Sequence, residues 1–211
     1  MNRKYLNIPN ILTASRIVFA FIFLSLFLIS QINKFENIKL LIIELVSLAV
    51  FLLAIITDGL DGYFARKQDK VTSFGQHFDP LSDSIFFIFV FFTFCVIGIM
   101  NWYFFIIIFL REAFMHFFLR PYYKAKGKYL PASIYGKIKT FFQALFSIII
   151  LAAIIARQGL IVFRLFTGII NVYSRVLDIV SFAFFSIIAL LSVFSLINYI
   201  IHFKRTFINQ A

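Results

Sequence analysis

Six apolar runs of membrane-spanning length leave this 211-residue chain few folds to choose from. Each is about 18 residues or longer, enough to cross a hydrocarbon core of ~30 Å as a helix. They cover roughly 11–31, 40–65, 79–99, 101–120, 138–157 and 178–202. With 62% hydrophobic and only 14% charged residues, an ordinary soluble domain is excluded. The expected fold is all-α: a polytopic integral membrane protein of six transmembrane helices, preceded by a short amino-terminal interfacial segment around Ile8-Pro9-Asn10. The first run follows Arg3 and Lys4 but is long and lacks a small-x-small cleavage pattern, so it reads as a retained span rather than a signal peptide. No linker or internal repeat divides the chain, and residues 1–211 are read as a single membrane domain.

Charge distribution orients the spans. Counted by connection, fifteen of the twenty Lys and Arg fall on the side that holds both termini, against Lys34, Lys39, Arg157, Arg164 and Arg175 on the other. That bias places the termini in the cytoplasm. The net charge of +11 is then a topology signal with an attraction for anionic head groups, and nucleic acid is not an expected partner because no soluble recognition domain exists. The single cysteine, Cys95, lies inside a span and can form no internal disulfide.

Against this apolar background the acids stand out. Five aspartates fall between 58 and 83, in Asp58-Gly59-Leu60-Asp61-Gly62-Tyr63-Phe64-Ala65-Arg66, at Asp69, and at Asp79 and Asp83. Carboxylates at membrane depth are costly and mark function. Asp58 and Asp61 are three apart, Asp79 and Asp83 four apart, so each pair shares a helix face. A short polar turn joins the two helices, which are expected to be antiparallel neighbours presenting all four acids near one boundary. Hard oxygen ligands of this kind suit Mg²⁺, or Mn²⁺, as one or two ions about 3.5–4 Å apart. Gly59, Gly62, Ala65 and Gly75 clear space for close approach, and Arg66, a little over two turns after Asp58, adds a cation. Metal, acid and cation together point to a phosphate site. Pro80 is expected in the first turn of the following helix with Asp79 as its cap. Asp69, Lys70 and His77 read as solvated loop groups. His116 and His202 show no metal-like spacing, and Tyr122, Tyr123 and Tyr129 read as head-group anchors. The 32 phenylalanines are expected to face lipid and pack the core.

The string Asp58-x2-Asp61-Gly62-x2-Ala65-Arg66-x8-Gly75-x3-Asp79-x3-Asp83 resembles the complete signature of the CDP-alcohol phosphatidyltransferase family, with all eight fixed positions matched. Pro9-Asn10-x2-Thr13-x2-Arg16, Asp79-Pro80-Leu81-Ser82-Asp83, Arg111-Glu112 and Gly136-Lys137-Ile138-Lys139-Thr140 are similar to the bacterial phosphatidylglycerophosphate synthase branch, so the resemblance covers about 10–140. It implies transfer of a phosphatidyl group from CDP-diacylglycerol to glycerol 3-phosphate with release of CMP, by a homodimer in a bacterial inner membrane with its active site on the cytoplasmic side. Asp58, Asp61, Asp79 and Asp83 would hold two metal ions, with Asp83 also the general base. Asn10, Thr13, Arg16, Gly62, Arg66 and Thr72 would contact CDP-diacylglycerol. A dianionic acceptor phosphate calls for cations, and Arg111, Arg120, Lys137 and Lys139 lie where they can supply them. The chain departs from the branch in one place: where Gly-Leu-Arg usually follows the Arg-Glu pair, it reads Phe117-Phe118-Leu119-Arg120, with one extra residue. The same chemistry on inositol phosphate, choline, serine or phosphatidylglycerol is the neighbouring alternative, and an ion-coupled transporter the alternative outside the class.

Overall fold

The computed structural model describes residues 8–33, 37–67, 75–127, 134–164 and 167–207, with side chains placed for 13–30, 37–57, 78–127, 134–164 and 168–207. Their regular structure is helical: α1 (Ile8–Asn33), α2 (Asn37–Lys67), α3 (Gly75–Val96), α4 (Trp102–Phe114), a π-helical turn (Met115–Leu119), α5 (Arg120–Ala125), α6 (Ile134–Val162) and α7 (Thr167–Phe207). The π-helical turn joins α4 and α5 into one continuous rod, so the helices form six elements long and apolar enough to cross a membrane. The chain is an integral membrane protein. Large apolar side chains such as Phe21, Ile42, Leu110 and Leu190 stand exposed around the bundle, as a hydrocarbon solvent permits.

Several elements outrun their expected bounds. α1 begins at Ile8 and takes Pro9 and Asn10 into the helix, shortening the interfacial lead-in. α3 begins at Gly75, so Pro80 is its sixth residue rather than part of its first turn, and Asp79 lies within the helix instead of capping it. So close to the helix start, Pro80 removes only one backbone hydrogen bond. α7 runs for 41 residues, beginning eleven residues before its expected start, because Asn171, Tyr173, Arg175 and Asp178 are tolerated on a helix that projects beyond the hydrocarbon. At 1.5 Å per residue it is about 60 Å long, twice the core thickness.

Aromatic packing holds the bundle, since lipid gives apolar helices no solvent-driven reason to associate. α1 packs against both α2 and α3. Phe23 meets Phe51 at a ring separation of 6.2 Å, and Phe51 meets Phe86 at 5.3 Å, so α2 and α3 also touch. Phe91 and Phe94 carry the core on to Phe185 of α7. At the opposite end from the acids, Gly98 takes φ +79° in the tight turn between α3 and α4. There Trp102 packs edge-on against Phe92 and Phe105.

Candidate active site

Helix direction alternates, so the starts of α1, α3 and α6 meet the ends of α2, α4 and α7 at one end of the bundle, where a cavity of about 480 Å³ opens. On α1, Thr13 and Arg16 are three residues apart and face α3. The Thr13 hydroxyl donates to Asp79 Oδ1 at 2.6 Å. Arg16, only 2% exposed, forms an ion pair with Asp83, and both line the cavity. A guanidinium taken this far from water requires a carboxylate partner. Asp79 and Asp83 thus occupy one face of α3, each held by a side chain of α1.

The approach of α2 follows from its register. Ser47, Phe51 and Ala54 are fully or almost fully buried on one face, and Ala54 and Ile55 line the cavity. Steps of four and three residues carry that face to helix positions 58 and 61. The side chains of Asp58, Asp61 and Arg66, like that of Asn10, and the surroundings of Gly62 lie outside what is described, and Thr72 lies outside it altogether. Among the described residues there is no group of three or more His, Cys, Asp or Glu that could hold a metal. Asp79 and Asp83 supply two hard oxygen donors on one face, beside the cavity that the α2 face reaches. That donor set fits Mg²⁺ or Mn²⁺.

The other wall is cationic. Arg111 and Lys139 are 7% and 5% exposed, and between them sits Glu112 at 4%. Arg111 Nη1 donates to both Glu112 oxygens at 2.9 and 3.0 Å, and the Lys139 ammonium donates to Oε1. Ser84, next to Asp83, donates to Oε2 at 2.7 Å, and His116 Nε2 lies 2.9 Å from the Ser84 hydroxyl. One carboxylate therefore offsets two buried cations and ties α3, α4 and α6 together. Lys137 is exposed at the rim.

Arg120 also reaches the cavity, and the π-helical turn Met115–Leu119 explains how. A π-turn takes up one more residue than an α-turn for nearly the same rotation. The extra residue of this stretch is absorbed there, so Arg120 comes round to the same cavity as Arg111. On α7, Ser195 accepts a hydrogen bond from Arg111 Nη2 at 2.9 Å, and the Tyr199 ring centroid lies 5.9 Å from the Arg111 guanidinium carbon. Of the residues singled out from sequence, Arg16, Asp83, Arg111, Arg120, Lys137 and Lys139 line one cavity. Thr13 and Asp79 adjoin it through their hydrogen bond.

A family model described as CDP-alcohol phosphatidyltransferase matches residues 6–173. The chain belongs to this family. Within the CDP-alcohol phosphatidyltransferases it is similar to proteins named CDP-diacylglycerol–glycerol-3-phosphate 3-phosphatidyltransferase from several bacteria. It is 37% identical to that of Mycoplasma pneumoniae over 64% of this chain and 63% of the relative. Identity is again 37% with that of Treponema pallidum, over 47% of this chain and 45% of the relative. With that of Aquifex aeolicus it is 28%, over 83% and 92%. The chain therefore spans less than two thirds of the length of the first two relatives.

Glu112, Ser84, His116, Ser195 and Tyr199 complete the picture without having been assigned roles from sequence. A lone glutamate inside an apolar run was a usable signal for the first. Ser84 adjoins Asp83 and His116 falls in the same run as Arg111. Ser195 and Tyr199 gave none: both lie beyond the segment that the family model matches.

Proposed function

We propose that this family member transfers the phosphatidyl group of CDP-diacylglycerol to glycerol 3-phosphate, giving phosphatidylglycerophosphate and CMP. One observation carries the acceptor assignment: the buried Nε atoms of Arg111 and Arg120 have no hydrogen-bond partner among the described residues, and both arginines line the cavity that holds Asp83. Buried guanidinium donors are normally satisfied, and a phosphate supplies the matching oxygens. The names borne by the relatives support the same acceptor.

In this reading Asp83 accepts the proton of the acceptor hydroxyl. That oxygen forms a bond to the phosphorus of the diacylglycerol phosphate, the bond from this phosphorus to the CMP oxygen breaks, and CMP leaves. Arg16 orients the Asp83 carboxylate, while Thr13 orients Asp79. Asp58, Asp61, Asp79 and Asp83 would hold Mg²⁺ or Mn²⁺ as two ions, which supply neutralisation of the pyrophosphate and of the departing CMP. Asn10, Gly62, Arg66 and Thr72, with Thr13 and Arg16, are assigned to the CDP-diacylglycerol side. Arg111, Arg120, Lys137 and Lys139 are assigned to the acceptor phosphate. The excess of Lys and Arg at the cavity end supports a cytoplasmic site in a bacterial inner membrane, and the family resemblance supports a homodimer.

The test is CMP release by the purified protein with CDP-diacylglycerol across glycerol 3-phosphate, inositol phosphate, choline, serine and phosphatidylglycerol. Glycerol 3-phosphate is expected to give turnover that a chelator abolishes and Mg²⁺ or Mn²⁺ restores. Turnover with another alcohol and none with glycerol 3-phosphate refutes the acceptor; turnover that survives chelation refutes the metal ligands.

A further inference from the structure

We propose that Ser195 and Tyr199 of α7 are positioning residues for the acceptor phosphate, acting by holding the Arg111 guanidinium in the cavity wall. The inference rests on the reading of this cavity as a phosphatidyl-transfer site with an anionic acceptor. Its residues belong to the last helix, outside the segment matched by the family model.

Arg111 has little freedom to choose its own orientation. Its Nη1 is taken by Glu112, the next residue in the chain, a contact that restrains one corner of the guanidinium. The second corner is set from α7: Nη2 donates to Ser195 Oγ at 2.9 Å. The Tyr199 ring, one turn further along α7, lies against the guanidinium at 5.9 Å, within cation–π range. With both terminal nitrogens engaged, Nε is buried and without a hydrogen-bond partner among the described residues, and Nη2 keeps a second N–H. The α7 contacts thus fix the direction in which the donors left on Arg111 meet an incoming phosphate oxygen.

Tyr199 also reaches the opposite cationic element. A Cβ placed on Gly136 of α6 would come within 3.3 Å of the Tyr199 hydroxyl, so the missing side chain at 136 lets the tyrosine close the wall between α4 and α6. Gly136 lies one turn before Lys139, the second buried cation. Tyr199 therefore adjoins the elements carrying both Arg111 and Lys139, and both cations line the cavity with it. Docking of α7 does not rest on these two side chains alone, although Tyr199 packs with Met115 and Leu119 of the π-helical turn. Further along the helix, α7 is held by Phe104 against Phe182 at 5.4 Å, Phe146 stacked on Phe184 at 4.2 Å, and Phe91 against Phe185 at 6.1 Å.

The experiment is steady-state CMP release by full-length Ser195→Ala, Ser195→Thr and Tyr199→Leu, varying glycerol 3-phosphate and CDP-diacylglycerol separately. Loss of a hydrogen bond to a charged group, or of the ring against it, is expected to raise KM for glycerol 3-phosphate about tenfold. KM for CDP-diacylglycerol and kcat should stay within about twofold, since only acceptor binding is affected. Ser195→Thr, which keeps the hydroxyl, should restore the wild-type value. An unchanged acceptor KM in both Ser195→Ala and Tyr199→Leu overturns the inference and leaves the proposed function standing. So does a parallel loss in kcat and both KM values, which marks a general structural role. A wild-type protein that releases no CMP with glycerol 3-phosphate overturns the proposed acceptor, and this inference falls with it.

Discussion

Replacing Glu112 by Gln removes one negative charge and almost no volume, and it does so between two buried cations. The carboxylate takes Arg111 at 2.9 and 3.0 Å, Ser84 at 2.7 Å, and the Lys139 ammonium. Breaking a buried ion pair from one side costs about 3–5 kcal/mol, because the surviving charge is left uncompensated. Glutamine keeps one carbonyl acceptor but points an N–H₂ group at a cation, so the lower end, about 3 kcal/mol, is the expected loss. At ~2–4 °C per kcal/mol for a chain of this size, the unfolding midpoint falls by about 6–12 °C. The protein carries its own reporter: its single cysteine, Cys95, is buried in the core and should react with a thiol-sensitive fluorophore only when the bundle opens. The uncompensated pair should also attract an anion, so inorganic phosphate should raise the Glu112→Gln midpoint more than that of the unaltered protein. A midpoint within about 2 °C of the unaltered protein refutes Glu112 as the counter-ion of the cationic wall.

Two further outcomes follow from the same geometry. Asp83→Asn should abolish CMP release while CDP-diacylglycerol binding stays measurable by calorimetry, because the amide keeps the shape and removes the proton acceptor; retained turnover refutes Asp83 as the base. Deleting Phe118, exposed within the π-helical turn, should convert the turn to ordinary α-helix and keep CMP release within about threefold. Deleting Leu110 instead leaves the π-turn in place and rotates Arg111 relative to the preceding helix by about 100°. It should eliminate turnover, and equal effects of the two deletions would exclude the register argument.

The legible part of the fold was the part governed by hydropathy. Six runs of sufficient length appear as six spans, because backbone groups in lipid must pair within their own helix. The ends were less legible. Composition shows where a helix leaves hydrocarbon, not where it stops, which is why α7 extends back to Thr167 through Asn171, Arg175 and Asp178. At the site, the acids and cations announced themselves as charges in an apolar chain. The extra residue before Arg120 was visible as a departure, but its absorption in a π-turn required the backbone. Ser195 was invisible for a different reason. A serine in an apolar helix commonly bonds back to its own chain, as Ser186 does to Phe182, and nothing local reveals that its partner lies 84 residues away.

Thr13 and Arg16 grip Asp79 and Asp83 at two points on parallel rods, much as two pegs fix a board where one would let it swivel. Sliding α1 by a single residue would shift it ~1.5 Å and turn it ~100°, undoing both grips together. Substitution at either peg therefore loosens the placement of the acids as well as any substrate contact. A defect measured at position 13 or 16 has to be apportioned between those two origins before it is credited to the nucleotide.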